Sequence, residues 1–157
     1  MPWKKMSKKQ NYKLMIIQQL SVFLENKSGR LAEVLEILGK NDVSITALSV
    51  ADTTEYGIVR IIVSEPVKAR EILKKYDFSC NVSDVVSVIT PKGAKHYARI
   101  LKILSDMKIS IEYTYAFSNG DKTTIILRCD ANQKAVEELK KHEINLLTSG
   151  DLYKNTD

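Results

Sequence analysis

The run Asn26-Lys27-Ser28-Gly29-Arg30-Leu31 holds residue types that could grip a small zwitterion. Asn26 carries donor and acceptor groups on one side chain. Gly29 lets a ligand approach the backbone closely, and Arg30 either adds a bidentate carboxylate contact or faces water. Leu31, Val34, Leu35 and Leu38 recur at helical spacing, so the run stands where a helix begins and its exposed amides would favour an anion. The same residues also make an ordinary turn with Ser28 as the helix N-cap, and residue types alone leave both readings open. A second constellation is Tyr113, Tyr115 and Phe117, whose alternation puts them on one face of a strand. That face either packs, aims a tyrosine hydroxyl at a ligand, or builds a contact between copies.

Catalytic constellations are lacking. His96 and His142 fall among lysines on helical segments and read as solvated surface. No H-x-x-x-H, G-x-S-x-G or phosphate-loop spacing occurs, and Cys129 stands beside Asp130 with no recognisable base for its thiol. No catalytic residue is therefore expected. Cys80 and Cys129 are the two cysteines, with no C-x-x-C pair, so neither metal ligation nor a cofactor is expected. They read as reduced structural thiols of a cytoplasmic protein, since no apolar secretory core stands near the N-terminus.

Composition narrows the classes further. The 157 residues are 44% hydrophobic and 27% charged, which excludes collagenous, low-complexity and disordered chains. No apolar run is long enough to span a bilayer. Lys4, Lys5, Lys8, Lys9 and Lys13 account for the whole net charge of +5. Residues 1–13 therefore read as a solvated, disordered basic extension, the remainder is charge-balanced, and nucleic acid is not the expected partner.

The elements that must position these residues come from a duplication. Displaced by 66 residues, Ser21-Val22 meets Ser87-Val88, Leu35, Ile37 and Leu38 meet Leu101, Ile103 and Leu104, and Ser44-Ile45 meets Ser110-Ile111. Lys68-Ala69 meets Lys134-Ala135, and Leu73-Lys74-Lys75 meets Leu139-Lys140-Lys141. Residues 14–84 and 85–157 each read as strand, helix, strand, strand, helix, strand. In the first, these are a strand over 16–24, a helix from Leu31 stopped at Gly39–Asp42, strands Val43–Ala51 and Gly57–Ser64 joined through Asp52–Tyr56, a helix opening at Pro66, and a strand near Cys80–Ser83. In the second, helix Ala94–Asp106, strands Ile109–Phe117 and Lys122–Cys129 about Asn119-Gly120, helix Gln133–His142 capped by Asp130 or Asn132, and strand Asn145–Leu152 follow. The expected fold class is α+β: two tandem ferredoxin-like βαββαβ units, each an antiparallel sheet with both helices on one face.

The opening Leu20-Ser21-Val22-Phe23-Leu24-Glu25-Asn26-Lys27-Ser28-Gly29-Arg30-Leu31 resembles the ACT domain, a small-molecule-binding module attached to many amino-acid biosynthetic enzymes. Over residues 14–153 the chain is similar to stand-alone tandem-ACT amino-acid-binding proteins. The resemblance implies an effector site between two ACT units, with the loop Asn26–Leu31 as one wall and the start of the second strand of a neighbouring unit, around Val43-Ser44-Ile45, as the other. It implies a non-catalytic amino-acid sensor, a homodimer, and a regulated enzyme as possible partner. Two departures weigh against serine as ligand: Leu24 stands where serine-sensing ACT domains carry histidine, and Ser44 where they carry asparagine. In the second unit Lys92, Ala94 and Lys95 fall on Asn26, Ser28 and Gly29, so an asymmetric protein is expected, with Tyr113 and Tyr115 as candidates for the opposite wall. The alternatives are a regulatory subunit like the small subunit of acetolactate synthase and a tandem-ACT transcriptional co-regulator. RNA-recognition domains share the topology, but Gly57–Val63 and Lys122–Cys129 hold no aromatic residue to stack on bases.

Overall fold

Alternating apolar residues on two strands and two helical stripes define each unit of this computed structural model, which describes residues 5–52 and 55–154. The chain forms two compact units, residues 18–83 and residues 84–154 with 5–17.

In the first unit β1 (Ile16–Glu25) leads to α2 (Arg30–Lys40), β2 (Ile45–Asp52), β3 (Tyr56–Val63), α3 (Pro66–Lys75) and the start of β4 (Ser79–Pro91), preceded in the chain by α1 (Lys8–Met15). Strand order β2-β3-β1-β4 is that of a ferredoxin-like unit. The register sets Leu20 against Ile61 and Val22 against Val59, so these side chains share one face. Val34, Ile37 and Leu38 of α2 and Ala69 and Leu73 of α3 close over that face in a single core.

The second unit repeats the plan with α4 (Ala94–Asp106), β5 (Ile111–Asn119), β6 (Lys122–Cys129), α5 (Asn132–Lys141) and β7 (Asn145–Leu146). β6 lies between β4 and β5, and β7 pairs with β4 at Val88 and Ile89. Ile100, Ile103 and Leu104 of α4 and Ala135, Val136 and Leu139 of α5 cover Val86, Val88, Ile125 and Leu127.

The duplication extends to backbone detail. A register shift follows Ile45 in β2 and the equivalent Ile111 in β5. The Ser44 amide donates to Ser64 Oγ and the Ser110 amide to Asp130 Oδ1, each at 3.0 Å. Each of α2 to α5 ends with a left-handed residue, Asp42, Asp77, Lys108 and Glu143, at φ 56°, 64°, 57° and 57°. The next amide, of Val43, Phe78, Ile109 or Ile144, donates back to Leu38, Leu73, Leu104 or Leu139, as in a Schellman stop.

Three local expectations are corrected. Residues 8–13, part of the extension 1–13 expected to be disordered, belong to helix α1 (Lys8–Met15), where Ser7 and Gln10 make a reciprocal capping box and Tyr12 and Met15 pack on the second core. The last strand is confined to Asn145–Leu146, and Ser149–Lys154 form helix α6 instead. Its start is fixed by Thr148, which accepts from the Asp151 amide while Asp151 accepts from the Thr148 amide. Neither Asp130 nor Asn132 caps α5, whose N-cap is Ala131: Asp130 holds Ser110, and Asn132 bridges the Cys129 amide and the Asp84 carbonyl. The connection expected at Asp52–Tyr56 lies partly outside the described residues.

Candidate functional site

β1 ends at Glu25, and after four intervening residues α2 begins at Arg30. The Asn26 amide donates to the Glu55 carbonyl at 3.3 Å and the Lys27 amide to the Glu25 carbonyl at 2.7 Å. Gly29, not Ser28, is the N-cap: its φ of 88° is left-handed, and its carbonyl accepts from the Glu33 amide at 3.0 Å. No side chain caps the helix start. Asn26, Lys27, Ser28 and Gly29 are exposed, so the amides of the first turn border an open loop.

The charged side chains around the loop have partners in their own unit. Lys27 Nζ lies 2.8 Å from the Glu25 carboxylate; its hydrogen bond, and then its charge, hold the Glu25 carboxyl below the usual carboxylate range. Arg30 pairs with Glu33 at 2.8 Å and its guanidinium lies 4.4 Å from the centroid of the Phe78 ring. Leu31 packs on the first core.

Ser44 and Ile45 stand at the start of β2, at the other end of the sheet. Glu25 pairs with Tyr56, whereas Ile45 pairs with Val63. The intervening rungs span about 24 Å at 3.4 Å per residue. Within the first unit, then, the two expected walls are kept apart. β2 has β3 on one side, and among the described residues no strand pairs with its other edge. Ile45, Leu48 and Val50 on this strand are 38%, 38% and 49% exposed.

Tyr113 and Tyr115 are half-buried. The register shift puts Ile111 opposite Cys129 but Tyr113, Tyr115 and Phe117 opposite Arg128, Ile126 and Thr124. Cys129 and Leu127 belong to the helix-covered core, so the three aromatics take the helix-free face of their unit. The loop equivalent to 26–29 is two residues shorter: β4 ends at Pro91 and α4 starts at Ala94, with Gly93 as N-cap at φ 126°. Glycine thus caps the first helix of both units, and Gly29 and Gly93 are out of step by two positions in the repeat because α4 begins two residues earlier than α2, the 66-residue offset being kept on both sides of the loop.

Both thiols are shifted towards the protonated form. Cys129 is buried, and desolvation, followed by Asp130, pushes its pKa up to about 11. Cys80 Sγ donates to the Arg70 carbonyl at 3.5 Å, and burial raises its pKa. His142 Nδ1 lies 2.9 Å from the Glu138 carbonyl at the end of α5. Among the described residues no cluster of three His, Cys, Asp or Glu side chains is placed to hold a metal, and no helix is long and apolar enough to cross a membrane.

One concavity was not anticipated. Lys8 and Tyr12 of α1 face Val136, Glu137, Lys140 and Lys141 of α5 around a groove of about 200 Å³. The readable signal was Ser7-x-x-Gln10, a capping box ahead of a helix.

A family model described as an ACT domain pair matches residues 15–155. The structure is similar to the crystal structure of protein BT0572 from Bacteroides thetaiotaomicron, at 42% identity and a TM-score of 0.85 over 89% of this chain and 97% of that one. At 13% identity and a TM-score of 0.62, it shares its fold with the ligand-free regulatory subunit of aspartate kinase from Thermus thermophilus, over 82% of this chain and 94% of that one. A third likeness is to aspartate kinase from Clostridium acetobutylicum, at 14% identity and a TM-score of 0.55, over 79% of this chain and 32% of that one. No curated protein matches the sequence.

Proposed function

Because the chain belongs to the ACT domain pair family, we propose that it is a non-catalytic regulatory protein that binds a small amino acid between the loop Asn26–Leu31 of one copy and the start of β2 of a second. The observation that carries this reading is the register of β2. An antiparallel pairing of two β2 edges sets Ile45 of one copy near Asp52 of the other, at the end of the sheet where the loop stands. Two walls about 24 Å apart in one unit then meet across a two-fold axis. The strand is suited to pairing: Ile-Thr-Ala-Leu-Ser-Val-Ala-Asp carries no lysine, arginine or proline to blunt its edge.

In this site the uncapped amides of α2 take the ligand carboxylate, and the Asn26 carboxamide takes its ammonium. Arg30 stays with Glu33 and shapes the loop. Ser44 contributes through its side chain, since its amide serves Ser64. Binding shifts the regulated state by as much as the ligand prefers the paired copies over the separate ones. Likeness of fold to a regulatory subunit of aspartate kinase supports a second reading, in which the regulated partner is a biosynthetic enzyme.

A thermal-shift panel of the twenty amino acids tests the site. A ligand at a hundredfold excess over its Kd adds about 2.7 kcal/mol, which raises Tm by several degrees. The shift is expected to vanish in Asn26→Ala and in Leu48→Lys, the latter also giving a monomer by light scattering, and to persist in Tyr115→Phe. A panel without a hit sinks the amino-acid site.

A further inference from the structure

We infer that the helical surface of the second unit docks on the phosphate backbone of double-stranded DNA, without reading its sequence. The inference rests on the placement of charge and not on the amino-acid site.

Along the chain, charge is balanced after residue 13. The fold divides it unevenly. In the first unit the two helices with their caps and stops, residues 30–42 and 65–77, carry six basic and six acidic side chains. The corresponding segments of the second unit, 94–108 and 131–143, carry seven and four, and α1 adds Lys8, Lys9 and Lys13 with no carboxylate. α5 packs against both α4 and α1, so the three helices make one surface. Its exposed charges are nine basic against two acidic, Asp106 and Glu143, because Glu138 is buried and Glu137 half-buried.

The cations are held outward. Lys95, Arg99 and Lys102 follow at spacings of four and three, so they share a face of α4, away from the core residues Ile100 and Leu104. Arg99 donates to the His142 carbonyl at 3.2 Å and Lys134 to the Met107 carbonyl at 3.1 Å. These contacts join α4 to α5 and hold two cationic heads there without neutralising them. Carboxylates pair with Lys102, Lys141 and, at 3.9 Å, Lys8, and the surface as a whole stays positive.

The spread of charge fits a polyanion. α4 alone is about 20 Å long, a length over which a DNA duplex carries about twelve phosphates. Among the described residues, Leu14 is the one large apolar side chain exposed on these helices, too little to seat in a lipid surface. Tyr12 and Tyr97 are half-buried, which leaves no exposed aromatic ring to stack on unpaired bases. An RNA duplex is held largely through its 2′-hydroxyls, whereas this surface offers cations to phosphates.

Fluorescence anisotropy of a labelled duplex of about 20 base pairs, titrated with the full chain at roughly 0.05–0.2 M salt, gives Kd and its salt dependence. Two duplexes of unrelated sequence are expected to bind equally, with log K falling on log salt at a slope of about −4 for five phosphate contacts. Lys13→Gln and Lys95→Gln, on different helices, should each reduce the slope by about one and weaken binding roughly eightfold at about 0.1 M salt. Lys74→Gln, on α3 of the first unit, should leave both unchanged. An unchanged Tm in each variant shows that folding is not what is lost. Weakening by Lys4→Gln with Lys5→Gln but not by Lys95→Gln overturns the inference, since the charge then acts ahead of the helices. So does the absence of binding at about 0.05 M salt, tighter binding to an RNA duplex of the same sequence, or binding to phosphatidylserine vesicles in place of the duplex.

Discussion

Lys74 and Lys140 occupy the same position of a duplicated helix, in the same Leu-Lys-Lys sequence. In the first unit Lys74 is exposed, and in the second Lys140 is half-buried, with its Nζ closed off. The helices themselves do not differ in kind. α5 carries α1 against it, and among the described residues α3 has no equivalent of α1 in its own unit. A duplication preserves fold-defining residues in both copies, and the copies diverge where something is added beside them.

The loops teach the same lesson. Gly29 and Gly93 both cap the first helix of their unit, but at φ 88° and 126°, and α4 begins two residues earlier in the repeat than α2, at the expense of the loop before it. An added Cβ meets nothing at Gly29 and only His96 Cδ2 at 3.6 Å at Gly93, so backbone strain alone sets the cost of alanine. Gly29 sits in the ordinary left-handed region (ψ −11°), whereas Gly93, with ψ 137°, sits where side chains are rarely found. Gly93→Ala is expected to cost about 2 kcal/mol and Gly29→Ala about 1, measured by urea unfolding. Equal costs would break the comparison.

The helix stops give a smaller and opposite effect. Asp42 and Asp77 of the first unit correspond to Lys108 and Glu143 of the second, all with positive φ. Aspartate tolerates this conformation better than lysine or glutamate. Lys108→Gly and Glu143→Gly should each stabilise by about 1 kcal/mol, and Asp42→Gly and Asp77→Gly by about half as much, seen as Tm gains of a few degrees.

The smallest effect is in pH. Lys140 has its folded pKa lowered below 10.5 by burial, so between that pKa and 10.5 the unfolded chain binds more protons. Its destabilising contribution is full at neutral pH and fades as pH rises through the folded pKa. Tyr12 in the same groove acts oppositely, its pKa raised above 10.0 first by burial and then by Asp84, which lowers stability only above that range. Relative to Lys140→Met, the unsubstituted protein should therefore gain stability from pH 7 towards pH 10. Denaturation at a series of pH values checks this, and a difference that does not change with pH would remove it.

Apolar spacing made the core legible: Leu38, Leu73, Leu104 and Leu139 are all fully buried, at positions the repeat had paired. What stayed hidden depends on partners far away in sequence. α1 carries two core contacts, Tyr12 and Met15, among lysines, so its stripe is too weak to read and its helix depends on docking to α5. Ser28 has the chemistry of an N-cap, but the left-handed Gly29 takes the position. Arg30 looked like a ligand group until Glu33 and Phe78 came beside it. Tyr113 and Tyr115 did alternate, but their face was set by a register shift with no signature in their own residues.

The two thiols turn the same asymmetry into a clock. Cys129, closed in the second core with a pKa of about 11, stays protonated near neutrality and out of reach of an alkylating reagent while that core is shut. Its labelling rate counts the openings of one half of the molecule. Cys80, half-buried against Arg70, supplies the separate count for the other.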